Sequence, residues 1–496
     1  MDTQNNTLMS SGRSGILLSK ISSNLPIIII LFLALFMRLW SVSDMSLSND
    51  ELSSVWRSFM QNSWHDMMIN GVMTDGHPPM TYIIMRYWMG IFGDSVLSIR
   101  LPFVLAGVLG LYYTYRTGLI WFGHTASLLA VSFLAITSYV IYFHQIARPY
   151  SFGFFWVQAA AFYWSRYFFS DEPDRRGLDC WLWTLMAIFS CYTHYFSLMA
   201  VGLIGLTGLF FLNKKNYKTY LLSGILIVLA LCPGWFIFKQ QLSYNGLEWL
   251  APPGRDWLLV YFAHVMNNSV LIYITLSIFF LISIFAGLYR RGLRFNKFQL
   301  IGLFWFLVSF LAGYIKSVYS MPVLQYSCLI FTYPFIVLVF FSFWTEGTEL
   351  FFSGSSYIWV FVLIVICTYD TVYRDKYYTT EHHGEIRGLA IKMAEWTDKY
   401  GSDMLLVTNV NNNYYWDYYW MKSMDRGEKL SLYYIDPDTD IPKFDSLLSN
   451  SKAKYFAFGW STVTTPDTLF KVAEKYYPKL LENPTHFNSG IRLYSK

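Results

Sequence analysis

Apolar runs long enough to cross a bilayer recur from residue 25 to residue 369 and then stop. A membrane-crossing helix needs about 20 mostly apolar residues. Eleven segments are predicted as spans: residues 25–40 and a little beyond, 96–119, 126–143, 150–169, two within 180–212, then 220–238, 270–289, 300–316, 323–344 and 357–369. The run over 180–212 is broken around Thr193-His194-Tyr195. Non-helical backbone at membrane depth is tolerated only where it lines a cavity or is buried in protein.

The loop at 43–95 has a pattern of its own. Residues 51–69 show amphipathic spacing through Leu52, Val55, Phe59 and Met60, and Pro78-Pro79 opens a second apolar stretch, 80–92. Proline is favoured in the first helical turn. Both stretches are predicted as helices lying at the membrane surface. Beyond residue 370 the period changes. A helix is expected over 384–400, with Ile386, Leu389, Ala390 and Met393 on one face. Strands are expected at 404–410, 432–435 and 455–458, helices at 413–424 and 465–477, and closing edges at 479–482 and 491–494. That alternation predicts a small α/β sandwich. The fold class expected is a membrane α-helical bundle of about 11 transmembrane helices (1–369, with the long outer loop 43–95) and a C-terminal α/β domain (370–496).

Composition sharpens this picture. Of the 496 residues, 54% are apolar, 20% aromatic and only 14% charged. A soluble domain carries about 25% charged residues, so an ordinary soluble enzyme is excluded, as is a disordered chain. Residues 1–369 hold 21 Lys and Arg against 15 Asp and Glu, whereas the last 127 residues hold 16 against 17. The boundary near residue 370 therefore separates lipid from water. The net charge of +5 carries no basic stripe, so no nucleic-acid partner is expected. The five cysteines all lie in or at the ends of apolar spans, which suggests neither a disulfide framework nor a zinc cluster. The polar segment 1–23 leads into an apolar run without a small-residue cleavage site, the pattern of a retained anchor. With the N-terminus cytoplasmic, inside loops hold 13 basic residues and outside loops 6. The positive-inside rule prefers that choice and puts the C-terminal domain outside the cell membrane.

Four polar groups interrupt the apolar pattern. Asn49-Asp50-Glu51 follows the first span. Paired carboxylates at a membrane boundary fit a general base and a helper, and they fit equally a helix start with Asn49 or Asp50 as N-cap. His77 lies in Asp75-Gly76-His77-Pro78-Pro79 and could bind a metal, a phosphate or a sugar hydroxyl, although a lone interfacial histidine is more often structural. Arg148 and Tyr150 lie in His144-Gln145-Ile146-Ala147-Arg148-Pro149-Tyr150, between the third and fourth spans. A guanidinium there suits a phosphate, or snorkels to headgroups. His194 and Tyr195 sit at the break in 180–212.

In this order the groups resemble those of the polytopic C-type (GT-C) glycosyltransferases, in particular the protein O-mannosyltransferase-like branch that includes the aminoarabinose transferases. The resemblance runs over most of residues 28–340: Arg38 near the end of the first span, the acidic pair Asp50-Glu51, the turn His77-Pro78-Pro79, Arg148 and Tyr150, then His194 and Tyr195. It implies a cell inner (plasma) membrane enzyme that moves a sugar from a polyprenyl-phosphate donor to a glycan, lipid or protein acceptor on the extracytoplasmic face. Asp50, with Glu51, would be catalytic. His77, Arg148, Tyr150, His194 and Tyr195 would bind substrate. Relatives differ in using a divalent metal ion, for which Glu51, His77 and His194 are the candidate ligands. Many relatives carry Arg-Tyr where this chain has Gln325-Tyr326, so a second phosphate-binding cation would fall to Lys316 or Arg255. The rival classes are a transporter, which would need mid-membrane polar residues and repeated halves, and an assembly factor with an external interaction domain.

Overall fold

The computed structural model describes residues 24–243, 250–290, 295–344, 356–410, 412–424, 430–462 and 465–496. Segment 1–23, with Arg13 and Lys20, and the loop residues Arg291 and Arg294 lie outside the described residues. The chain divides into two compact units. The first comprises Met1–Trp40, Ser63–Phe92 and Arg100–Tyr378, and the second Ser41–Asn62, Gly93–Ile99 and Thr379–Lys496.

The first unit is helical. Val96–Phe122, Tyr217–Leu242, Lys297–Tyr319 and Tyr357–Arg374 are long and apolar enough to cross a membrane. Two bent pairs raise the number to six when each is taken as one span: His124–Ile136 with Ser138–Gln145, bent by 65°, and Trp257–Val265 with Val270–Phe285, bent by 95°. Asn24–Leu39, Tyr195–Phe211 and Tyr333–Ser342 are apolar but shorter. Among the described residues, length and composition therefore do not reach the expected eleven. The expected third span is continuous in pattern, yet it breaks at Thr137, whose backbone is extended. The expected span over 323–344 is α-helical only over Tyr333–Ser342, where Pro334 occupies the first turn, and is preceded by a short 3-10 turn at Tyr326–Leu329. The run 180–212 divides as expected, into Arg176–Cys191 and Tyr195–Gly208. Inside the bundle two buried indoles are hydrogen-bonded: Trp305 Nε1 donates to Thr207 (2.9 Å) and Trp164 Nε1 to Tyr220 (3.2 Å).

The outer loop 43–95, expected as part of the first domain, is divided between the units. Its first predicted helix ends early, at Ser58, and a new one starts at Trp64 because Ser63 accepts a hydrogen bond from the Asp66 N–H. The first unit also extends past the expected boundary. Helix Ser356–Tyr369 continues as a π turn over Asp370–Arg374, and Asp370 is fully buried with Asn267, Ser269 and Arg374 around its carboxylate. A paired carboxylate is compatible with that burial, so the first charged residue after the apolar run is not the first solvated one.

The second unit is built on a six-stranded sheet. The strands are β1 (Met404–Thr408), β2 (Tyr433–Tyr434), β3 (Tyr455–Ser461), β4 (Lys479–Glu482), β5 (Thr485–His486) and β6 (Ser489–Ser495), in the order β2-β1-β3-β6-β4 with β5 on β6. β1 runs parallel to β2 and β3, and β6 antiparallel to β3, β4 and β5. Phe444, Phe456, Phe458, Leu469, Phe470 and Tyr494 make its core. The helix Ile441–Asn450 is absent from the sequence reading, because Pro442 and a serine-rich face hide its short apolar period.

Candidate active site

Three of the expected binding residues stand just before helix starts in the first unit. His77 and Arg148 each precede a proline, and a residue in that position is driven out of helical backbone. The helices then open at Met80 and Tyr150. His194 is the extended N-cap of Tyr195–Gly208, and its Nδ1 accepts the Phe196 N–H at 3.0 Å. That bond uses the Nδ1 lone pair, so the neutral ring carries its proton on Nε2.

The structure brings these mouths together. Arg148 Nη2 lies 3.1 Å from His77 Nδ1. The rings of His77 and His194 are 5.1 Å apart, and Tyr150 and Phe331 flank His194 at 5.9 and 4.9 Å. The Met80 N–H donates to Tyr192 O (2.9 Å), tying the His77 turn to the break before His194. Arg148 is only 5% exposed, so its guanidinium is held inside the unit and does not snorkel along its surface. Three helix N-termini, each with a positive dipole end, thus gather around one buried arginine.

Asp75 sets the orientation of His77. His77 Nδ1 lies 3.0 Å from Asp75 Oδ2, and the Tyr82 hydroxyl donates to the same oxygen. One ring nitrogen cannot serve both neighbours at once. As N–H it donates to Asp75, and as a lone pair it accepts from Arg148, so the proton position and the arginine contact are linked.

A further residue, Gln241, is missing from the sequence reading. Its Nε2 donates to Val72 O (2.8 Å) and His77 O (2.7 Å), and its Oε1 accepts the Tyr195 hydroxyl (2.6 Å). It clasps the His77 turn to the helix that His194 opens. In the sequence Gln241 is one polar residue in Lys239-Gln240-Gln241 at the end of an apolar run, which reads as a solvated helix end. Tyr82 is likewise hidden in an apolar helix.

Asp50 and Glu51 belong to the second unit, and their roles separate there. The N-cap of helix Asn49–Ser58 is Ser48, one residue before the expected Asn49 or Asp50. Ser48 Oγ accepts the Glu51 N–H (3.2 Å) and Glu51 Oε2 accepts the Ser48 N–H (2.9 Å), a capping box. Glu51 is fully buried in this bond, whereas Asp50 is exposed in the first turn. Glu51 is therefore committed to the helix start. Asn49 fixes the same turn by donating to Ser461 O (3.2 Å) and Oγ (3.0 Å).

Among the described residues no three His, Cys, Asp or Glu side chains form a group able to hold a metal ion. The substitute cations also stand apart in role. Lys316 is exposed and donates to Ser320 (2.9 Å) on its own helix end, and Arg255 is exposed in the turn before Trp257–Val265. Gln325 caps the short turn Tyr326–Leu329, and the Tyr326 ring stacks on His264 at 4.5 Å.

Residues 76–238 match the family described as dolichyl-phosphate-mannose-protein mannosyltransferase. By sequence, no curated protein matches the chain. The fold is similar to that of ArnT from Cupriavidus metallidurans in the apo state (TM-score 0.57, 11% identity, covering 94% of this chain and 97% of that one). It is equally similar to ArnT bound to undecaprenyl phosphate (0.56, 12%, 94% and 97%). The apo oligosaccharyltransferase of Archaeoglobus fulgidus is also similar (0.51, 12%, 92% and 73%).

Proposed function

We propose that this chain is a polytopic C-type membrane glycosyltransferase, a reading supported by the family match over residues 76–238 and by the likeness of fold, and that it transfers a sugar from a polyprenyl-phosphate carrier to a glycan, lipid or protein acceptor. Transfer takes place on the extracytoplasmic face of the plasma membrane, where the C-terminal domain also stands. The observation that carries this reading is the meeting of three helix N-termini around buried Arg148. A sugar phosphate leaves with its charge on oxygen, and preorganised donors inside a water-poor site stabilise that charge without reorganising. The planar guanidinium of Arg148 takes two phosphate oxygens at once. His77 is oriented by Asp75, and the His194 ring stands 5.1 Å from the His77 ring. That one neighbouring solved structure holds undecaprenyl phosphate supports a polyprenyl carrier. Asp50 acts as the general base that deprotonates the acceptor, since Glu51 is spent on the capping box.

The test compares the masses of envelope glycans, lipids and glycoproteins with and without the gene. Loss of one sugar residue on deletion, restored by the wild-type protein but not by Arg148→Lys, is the expected result. An unchanged set of masses refutes the enzyme reading. Full restoration by both Arg148→Lys and Arg148→Ala removes the phosphate role from Arg148.

A further inference from the structure

Arg38 is fully buried in the first unit, and its donors reach two helices besides its own. Nη1 donates to Ala135 O (2.7 Å) and to Ala34 O on its own helix (3.0 Å), and Nη2 points to Leu134 O (3.4 Å). Nε donates to His144 Nδ1 (3.1 Å). Leu134 and Ala135 sit in the last turn of His124–Ile136, where the helix breaks. The final carbonyls of a helix have no intrahelical partner and carry the negative end of its dipole. The next carbonyl, Ile136 O, accepts the Thr371 hydroxyl at 2.8 Å. Side chains thus satisfy all three carbonyls at a break that would otherwise leave them orphaned inside an apolar bundle.

His144 lies on the far side of that break, near the end of Ser138–Gln145, four residues before Arg148. Its ring has one tight position. It packs against Phe154 at 4.5 Å, and Gly107 leaves the needed space: a Cβ there would fall 2.4 Å from His144 Cγ. The neighbouring Gln145 donates to the backbone O of Arg38 (2.8 Å) and accepts the Tyr377 hydroxyl (2.5 Å). Ser151 then ties the next helix back by donating to Phe143 O (3.0 Å). The turn that carries Arg148 is therefore suspended between a brace at Arg38 and a stitch at Ser151.

We propose that Arg38 is a positioning residue for Arg148. It bridges the 65° bend, fixing the direction in which Ser138–Gln145 leaves the break and hence where the guanidinium of Arg148 stands. The inference rests on the reading of Arg148 as the phosphate holder. A lysine cannot replace Arg38, because one ammonium centre cannot serve the carbonyls of one helix and the ring of the next as a planar guanidinium does.

The test measures binding of undecaprenyl phosphate to purified full-length protein in detergent, for wild type, Arg38→Lys, Arg148→Ala and the double variant. Arg38→Lys should weaken binding about tenfold, a size common for coupled neighbours, and should add nothing in the Arg148→Ala background. Two effects that multiply in the double variant, or wild-type binding by Arg38→Lys, overturn the proposal. Wild-type binding by Arg148→Ala instead overturns the reading beneath it, whatever Arg38 does. If Arg38→Lys does not fold, the His144 pair decides. His144→Asn keeps an acceptor near the place of Nδ1 and should bind close to wild type, while His144→Leu should lose about tenfold. Equal binding by His144→Leu and wild type overturns the proposal.

Discussion

Replacing Gln241 by leucine removes three hydrogen bonds at nearly constant volume. The carboxamide is 5% exposed, so water does not simply take the place of the lost partners. It now satisfies Val72 O, His77 O and the Tyr195 hydroxyl. A net contribution of about 1 kcal/mol for each bond gives roughly 3 kcal/mol of lost stability, reduced somewhat by the better burial of leucine. The loss falls on one turn, the one that aims His77. Gln241→Leu should therefore raise amide exchange over residues 72–80 far more than over the core helices, and weaken undecaprenyl phosphate binding in step. Gln241→Glu is the sharper variant. Its carboxylate still accepts from Tyr195 but turns an oxygen without a proton toward two carbonyls 2.7 and 2.8 Å away. Gln241→Glu should accordingly be worse than Gln241→Leu, although glutamate is closer to glutamine in shape. Equal exchange in all three proteins, or a glutamate variant as stable as wild type, would refute the clasp.

Asp50→Asn keeps size and removes basicity, so transfer measured by restoration of the missing sugar should fall about 10²-fold. Glu51→Gln keeps an acceptor for the Ser48 N–H and should leave transfer near normal. The reverse ranking would move the base to Glu51. Glu51→Ala orphans the Ser48 N–H and should cost about 1–2 kcal/mol, seen as fraying of Asn49–Ser58 by amide exchange. In the C-terminal unit, burial pushes the Glu381 carboxyl up, but the Phe487 N–H (2.7 Å) and His486 (2.7 Å) outweigh it, leaving the value below the ordinary one. The stabilisation is then present above the ordinary glutamate range and is lost as pH falls through the lowered value. Protection of the Phe487 amide should exceed that in Glu381→Gln at neutral pH, and the two should converge in acid.

The sequence is most legible where one solvent dominates. Long apolar runs show as helices because lipid demands internal hydrogen bonding, and the period change near residue 370 marks a sheet domain whose strands fall close to their expected places. The site is legible in part: His77, Arg148, Tyr150 and His194 converge, and each is a polar residue beside a break in an apolar pattern. What stays hidden are partners that carry no pattern. Gln241 resembles any polar helix end, Tyr82 any aromatic on an apolar face, and the break at Thr137 has no proline or glycine to mark it. The acidic pair divides for a related reason. Asp50 and Glu51 are adjacent in sequence, but a helix start sends successive side chains in different directions, one into a cap and one out.

The breaks themselves explain why chemistry gathers where it does. A helix in an apolar bundle has no spare donors or acceptors along its length, so a bound anion meets useful groups only at its ends. Each end must then be stabilised by something else when the site is empty. Here the His77 turn has Gln241, the Thr137 break has Arg38 and Thr371, and His194 caps its own helix through Phe196 N–H. These supports are buried and polar, so removing one leaves an unsatisfied partner and not merely a gap. The consequence is a candidate site whose residues are each held by a separate buried polar support. Variants at Gln241 and Arg38, which line different breaks, should each weaken phosphate binding. Their effects should be close to independent of one another, because the two breaks meet through the His77–Arg148 contact and the packing of Tyr150 on His194, with no hydrogen bond between Gln241 and Arg38 themselves among the described residues. Strong coupling between Gln241→Leu and Arg38→Lys would mean that the two breaks move as one, and that the contact at 3.1 Å transmits more than its own hydrogen bond.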